Sequence, residues 1–146
     1  MKILFVCSGN TCRSPMAQAI FQKIAAEKNL NVECESAGIA TFTGSPASEN
    51  SVTALQEIDI DLSNFRSTSI TALIPRLGEF DLFVPMTYSQ AVALLQLGVE
   101  KKKIYLFNTD VSDPYGGDLS VYRATRDELL KQLDTLAKFI ENIEKK

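Results

Sequence analysis

At 146 residues, with 45% hydrophobic and 23% charged side chains, the chain has the length and balance of one soluble domain with a full core. Its net charge of −3 and pI of about 5.0 argue against nucleic acid or an anionic membrane as a bulk partner, so any anion site must be a local positive spot. Three cysteines (Cys7, Cys12, Cys34) in neither a secreted nor a metal-binding spacing, with no histidine, argue against a disulfide framework and a zinc site.

Taken in order, the apolar run Lys2 to Cys7 reads as a buried parallel strand entered at once, with no signal peptide. Met16 to Lys28 reads as an amphipathic helix with Ser14 as N-cap and Pro15 at the first helical position. Asn31 to Ser36 alternates as a second strand, closed by Ala37-Gly38, and a Thr/Gly/Ser/Pro loop runs from Ala40 to Ser45. Pro46 to Glu57 is expected to be helical, Asp61 to Arg66 irregular, and Ser69 to Leu77 a short helix limited by Pro75. The third strand is Phe80 to Val84, ended by Pro85, followed by a helix from Tyr88 to Leu97. A fourth strand is expected over Lys103 to Phe107, then a polar loop from Asn108 to Leu119. The last helix runs from about Ser120 to Ile143 on a stripe of Tyr122, Leu129, Leu133, Leu136 and Ile140. No apolar run is long enough to span a bilayer. Strands alternating with helices mean a parallel sheet in a single α/β domain over 1–146, with the first and fourth strands delivering their following loops to one rim.

The stretch Cys7-Ser8-Gly9-Asn10-Thr11-Cys12-Arg13-Ser14-Pro15 lies between the first strand and the first helix. Converging backbone N–H groups and a helix N-terminus make a nest for a phosphate-sized anion. Cys7 sits at its lip as a candidate nucleophile, active only as thiolate, a form that a helix N-terminus and a guanidinium favour in cysteines generally. Arg13 offers a planar fork for two phosphate oxygens and the charge that develops in transfer. Ser14 can donate its hydroxyl to the sulfur, Asn10 is a residue type that tolerates positive φ, and Gly9 avoids a side chain where the backbone turns. Attack on phosphorus gives a cysteinyl-phosphate; the leaving atom then needs a proton and the hydrolytic water a base, both of which one carboxylate can serve. Asp113, stiffened by Pro114 on the same rim, is the candidate, although Asp-Pro is also a common turn former. Cys12 either packs or forms a reversible disulfide with Cys7, Cys34 reads as a buried strand residue, and Tyr115 either lines the pocket or packs on Pro114.

Cys-x-Gly-Asn-x-Cys-Arg-Ser-Pro resembles the phosphate loop of the low-molecular-weight protein tyrosine phosphatase family, and the resemblance extends along nearly the whole chain. Asp113-Pro114-Tyr115-Gly116 is similar to the family's acid loop. Thr11, Asp113 to Gly117 and Arg126-Asp127-Glu128-Leu129 look most like its bacterial protein arginine phosphatase branch. Phe65 before Arg66 and Pro85 before Met86 depart from the pattern. The expected architecture is a three-layer sandwich, a four-stranded parallel sheet in flavodoxin-like order 2-1-3-4 with helices on both faces. The implied function is a cytoplasmic, cofactor-free, monomeric protein phosphatase with Cys7, Arg13 and Asp113 as catalytic residues and Ser8, Gly9, Asn10, Thr11, Cys12, Ser14 and Tyr115 binding substrate. Ser36 matches a family position that buttresses the loop.

Phosphorylated proteins are the expected partners, with phosphoarginine favoured over phosphotyrosine: Thr11 stands where tyrosine-specific members carry an aliphatic residue, and its hydroxyl suits a polar leaving group. Two other functions compete. An arsenate reductase would relay a disulfide through cysteines after the third strand, where there are none; a non-enzymatic phosphate binder should lack the nucleophile, the arginine or the acid.

Overall fold

The computed structural model describes residues 1–144. Three parallel strands, β1 (Lys2–Cys7), β2 (Glu33–Gly38) and β3 (Leu82–Pro85), form a sheet in the order β2-β1-β3. Around it run α1 (Arg13–Glu27), α2 (Glu49–Gln56), α3 (Ile70–Leu73), α4 (Tyr88–Gln96) and α5 (Leu119–Glu144), with 3-10 turns at Ile74–Glu79 and Lys101–Lys103. Alternation along β1 sends Ile3 and Phe5 into a core shared with α1, α2 and α5, and Leu4 and Val6 into a second core built with Ile70, Leu73, Phe83 and Leu94. Helices therefore cover both faces of the sheet, as the continuous apolar character of β1 requires. The stripe of Tyr122, Leu129, Leu133, Leu136 and Ile140 is buried along α5 as its spacing predicts. Among the described residues no helix is long and apolar enough to cross a membrane.

The expected fourth strand is reduced to one bridge, Phe83 to Ile104, carried by Tyr105 N–H donating to the Phe83 carbonyl (2.9 Å). The cause is Pro85. In a parallel ladder the residue two beyond Phe83 supplies the next donor toward Tyr105, and proline has none. Met86 N–H faces the other way, onto the Val6 carbonyl (2.9 Å), so Pro85 is tolerated at the open side of β3. The segment after Ile104 is held instead by aromatic packing, with the Tyr105 ring 5.0 Å from that of Phe139 on α5. Other boundaries move: β2 runs Glu33–Gly38 rather than from Asn31 to Ser36, and β3 starts at Leu82 and includes Pro85. Pro46 pairs with Arg66 in an isolated antiparallel bridge, and α2 begins only after Ser48, whose hydroxyl accepts from Ser51 N–H. The helix α1 begins at Arg13, with Cys12 rather than Ser14 at the N-cap position.

Glu57, just past α2, ties that end to α5. It accepts from Arg123 Nε (2.9 Å) and Arg126 Nη1 (2.8 Å). The Arg123 hydrogen bond foremost, then that of Arg126, holds its carboxyl down to about 2 from the ordinary 4.5. A carboxylate depressed in the folded state adds stability above its unfolded pKa and loses it as pH falls through the folded one. Glu57→Gln should therefore lower the melting temperature at pH 7, with the gap to wild type closing between about pH 4.5 and 2; parallel melting curves across that window check it.

Candidate active site

The loop between β1 and α1 wraps around the Cys7 sulfur. Asn10 takes a left-handed backbone (φ 53°), which turns its own N–H back onto Cys7 Sγ at 3.1 Å. The Ser14 hydroxyl lies 2.9 Å from the same sulfur. Thr68 N–H donates to Asn10 Oδ1 (2.8 Å), which fixes the amide so that Nδ2 donates to Ser14 Oγ (2.7 Å) and Ser36 Oγ (3.0 Å). Asn10 thus fills one acceptor site of the Ser14 hydroxyl, which keeps its proton and its other lone pair for the sulfur. Ser36 passes its own proton to Gln18 Oε1 (2.7 Å). Asn10 N–H donates to Cys7 Sγ, and the Ser14 hydroxyl is within hydrogen-bond distance of the same atom. Ser14 thus serves the sulfur instead of capping the helix, because its side chain folds back into the loop from the first turn of α1.

Glycine matters at a different place from the one expected. A Cβ on Gly9 would meet only the Thr11 hydroxyl oxygen, at 3.8 Å. A Cβ on Gly38, at the end of β2, would lie 2.8 Å from the Ser8 carbonyl and 3.0 Å from Asn10 Cβ. The loop is seated on Gly38, and the next two residues hold it there: Ile39 and Ala40 N–H donate to the Cys7 and Ser8 carbonyls, both at 2.9 Å.

Arg13 is 5% exposed, and its Nη1 donates to the Val111 carbonyl at 3.0 Å. That bond anchors one nitrogen of the guanidinium. Asp113 Oδ2 stands 3.6 Å from Arg13 Nη2, and Asp113 Oδ1 accepts from Tyr115 N–H (3.1 Å), closing the turn that carries Asp113. Cys7 to Arg13, Ala40, Thr41, Asp113 and Tyr115 enclose a cleft of about 330 Å³. Every residue expected at the site therefore meets there except Ser14, which lies beneath it. Tyr115, 79% exposed, stands at the mouth rather than packing away. Cys12 is buried, with its thiol donating to Ser48 Oγ (3.4 Å) and 3.3 Å from Tyr122 Oη. Burial, and after it the Cys12 contact, pushes the Tyr122 phenol up to about 12. Cys34 lies on β2, its thiol also pushed up to about 12 by burial.

Sequence reasoning did not single out Gln18, Thr68, the Val111 carbonyl or Gln90. Gln90 had a legible signal in Thr87-x-x-Gln90, a capping-box spacing that α4 adopts. The backbone groups of Thr68 and Val111 carry no signal, since any residue supplies them.

The profile of the family described as "Low molecular weight phosphotyrosine protein phosphatase" matches residues 2–146. A protein-arginine-phosphatase of Bacillus subtilis is 38% identical, over 94% of this chain and 95% of its own. The low molecular weight protein-tyrosine-phosphatase YfkJ of the same organism is 30% identical over 79% and 81%. A cysteine-to-serine mutant of the YwlE arginine phosphatase, with a phosphorylated active-site serine, superposes with a TM-score of 0.87 at 37% identity, covering 97% of this chain and 96% of that one. With its phosphate-loop geometry and a match along essentially its whole length, the chain belongs to the low molecular weight phosphotyrosine protein phosphatase family.

Proposed function

We propose that the chain removes phosphate from phosphoarginine in proteins, with Cys7 as nucleophile, Arg13 as phosphate clamp and Asp113 as general acid and base. Cys7 Sγ attacks phosphorus, the S–P bond forms as the P–N bond breaks, and the Asp113 proton goes to the departing guanidino nitrogen. The Asp113 carboxylate then takes a proton from water, which attacks the cysteinyl-phosphate and frees phosphate and thiolate. Loop N–H groups with Ser8, Gly9, Asn10 and Cys12 form the cradle, and Tyr115 flanks its mouth.

The observation that carries the substrate choice is Thr11. Its carbonyl is pinned by Ser48 N–H (2.9 Å) and the Ser51 hydroxyl (3.3 Å), and the residue lines the cleft. A hydroxyl in that wall can satisfy a polar guanidino group and penalises an apolar ring. The higher identity, over a larger share of the chain, to a protein-arginine-phosphatase than to the tyrosine phosphatase supports the same choice. Phosphotyrosine is the second reading, favoured by the exposed Tyr115 ring, on which an aryl group could stack. A reductase relay finds no support, because Cys34 is buried on β2 and held protonated.

Thr11→Ile tests the substrate. It should cost phosphoarginine peptides one hydrogen bond to a charged partner, about 1.5–3 kcal/mol, or ten- to a hundredfold in kcat/KM, and raise the rate on phosphotyrosine peptides. Side-by-side rates read both. A wild type that prefers phosphotyrosine, or a variant slowed equally on both, would make the chain a tyrosine phosphatase with a polar loop residue.

A further inference from the structure

Gln90 is 4% exposed and sits on the first turn of α4, yet its carboxamide does more than cap that helix. Its Oε1 accepts from Met86 N–H (3.0 Å) and Thr87 N–H (3.1 Å), which fixes which end of the amide is nitrogen. Its Nε2 then donates to Ser8 Oγ at 3.2 Å, across 82 positions of sequence. Ser8 is the residue after the nucleophile; its side chain is exposed and it lines the cleft.

A serine hydroxyl has one donor and two acceptor sites. Gln90 fills one acceptor site from inside the protein and thereby selects the rotamer. One lone pair and the proton remain for whatever occupies the cleft. A guanidino group carries N–H donors beside the scissile P–N bond, and an aryl ester carries none. We infer that Ser8 is a second polar contact for the guanidino leaving group, alongside Thr11, and that Gln90 is the positioning residue that aims it. The inference rests on the phosphoarginine reading and adds a specificity pair that links the β3–α4 junction to the phosphate loop.

The ratio of kcat/KM for a phosphoarginine peptide to that for p-nitrophenyl phosphate tests it, since lost stability or a disturbed phosphate cradle lowers both rates together. Ser8→Ala should lower the ratio roughly tenfold, and Ser8→Thr, which keeps the hydroxyl, should preserve it. Gln90→Met should lower the ratio to a similar extent, whatever its melting temperature, and the double variant should fall no further than Ser8→Ala alone. An unchanged ratio in Ser8→Ala, or additive losses in the double variant, would overturn the pairing while leaving the phosphoarginine reading in place. A wild type inactive on phosphoarginine would remove that reading, and with it the inference.

Discussion

Replacing Cys7 with serine is expected to abolish turnover, by at least about 10⁴-fold in kcat/KM, while leaving the fold and the binding of inorganic phosphate intact. The sulfur accepts from Asn10 N–H and lies 2.9 Å from the Ser14 hydroxyl, so a thiolate formed there for attack would meet two hydrogen-bond donors. An oxygen there would be a neutral alcohol at neutral pH. The sequence has no histidine that could take its proton, and Asp113 is the acid of the proposed first step rather than a base for this atom. The anion cradle survives because it is made of backbone and Arg13. Calorimetry with phosphate and steady-state rates on one preparation make the check. Activity within tenfold of wild type would remove Cys7 from the nucleophile role.

What the sequence disclosed, and what it withheld, follows from how far apart the interacting groups lie along the chain. The spacing from Cys7 to Arg13 is short, and the chemistry of a phosphate loop forces those residue types into it, so the site was legible. So was α5, whose apolar stripe must face the sheet for any core to form. Ser14 was legible in part: its contact with the Cys7 sulfur was expected, but its N-cap placement was not met, because α1 begins at Arg13 with Cys12 before it. The steric demand at Gly38 arises only when β2 closes on Ser8 and Asn10. The fourth strand failed for a reason written in the sequence but visible only with the register known: Pro85 stands where the next donor is needed. Arg13 is oriented by a backbone carbonyl 98 positions away, and no residue type announces such a partner.

Asp113→Asn should slow substrates with poor leaving groups by roughly 10²–10⁴-fold and those with good leaving groups much less. The replacement is nearly isosteric. Its amide oxygen can still accept from Tyr115 N–H, so the turn that carries the acid is kept, and Pro114 still stiffens it. What is lost is a proton to give and a charge to receive one. A nitrogen or an alkoxide leaving unprotonated bears the full cost of that loss, whereas an acidic phenol leaves as a stable anion and hardly needs the proton. The variant should also lose the 3.6 Å contact with Arg13 as an ion pair, which frees the guanidinium for phosphate and keeps KM from rising. The signature is therefore a fall in kcat that steepens with the basicity of the leaving group, measured along a series of aryl phosphates of graded phenol acidity. A wild type insensitive to that basicity and a variant strongly sensitive to it would place proton delivery at Asp113. Equal slowing across the series would assign the carboxylate to the turn alone, and the proton would then have to come from solvent.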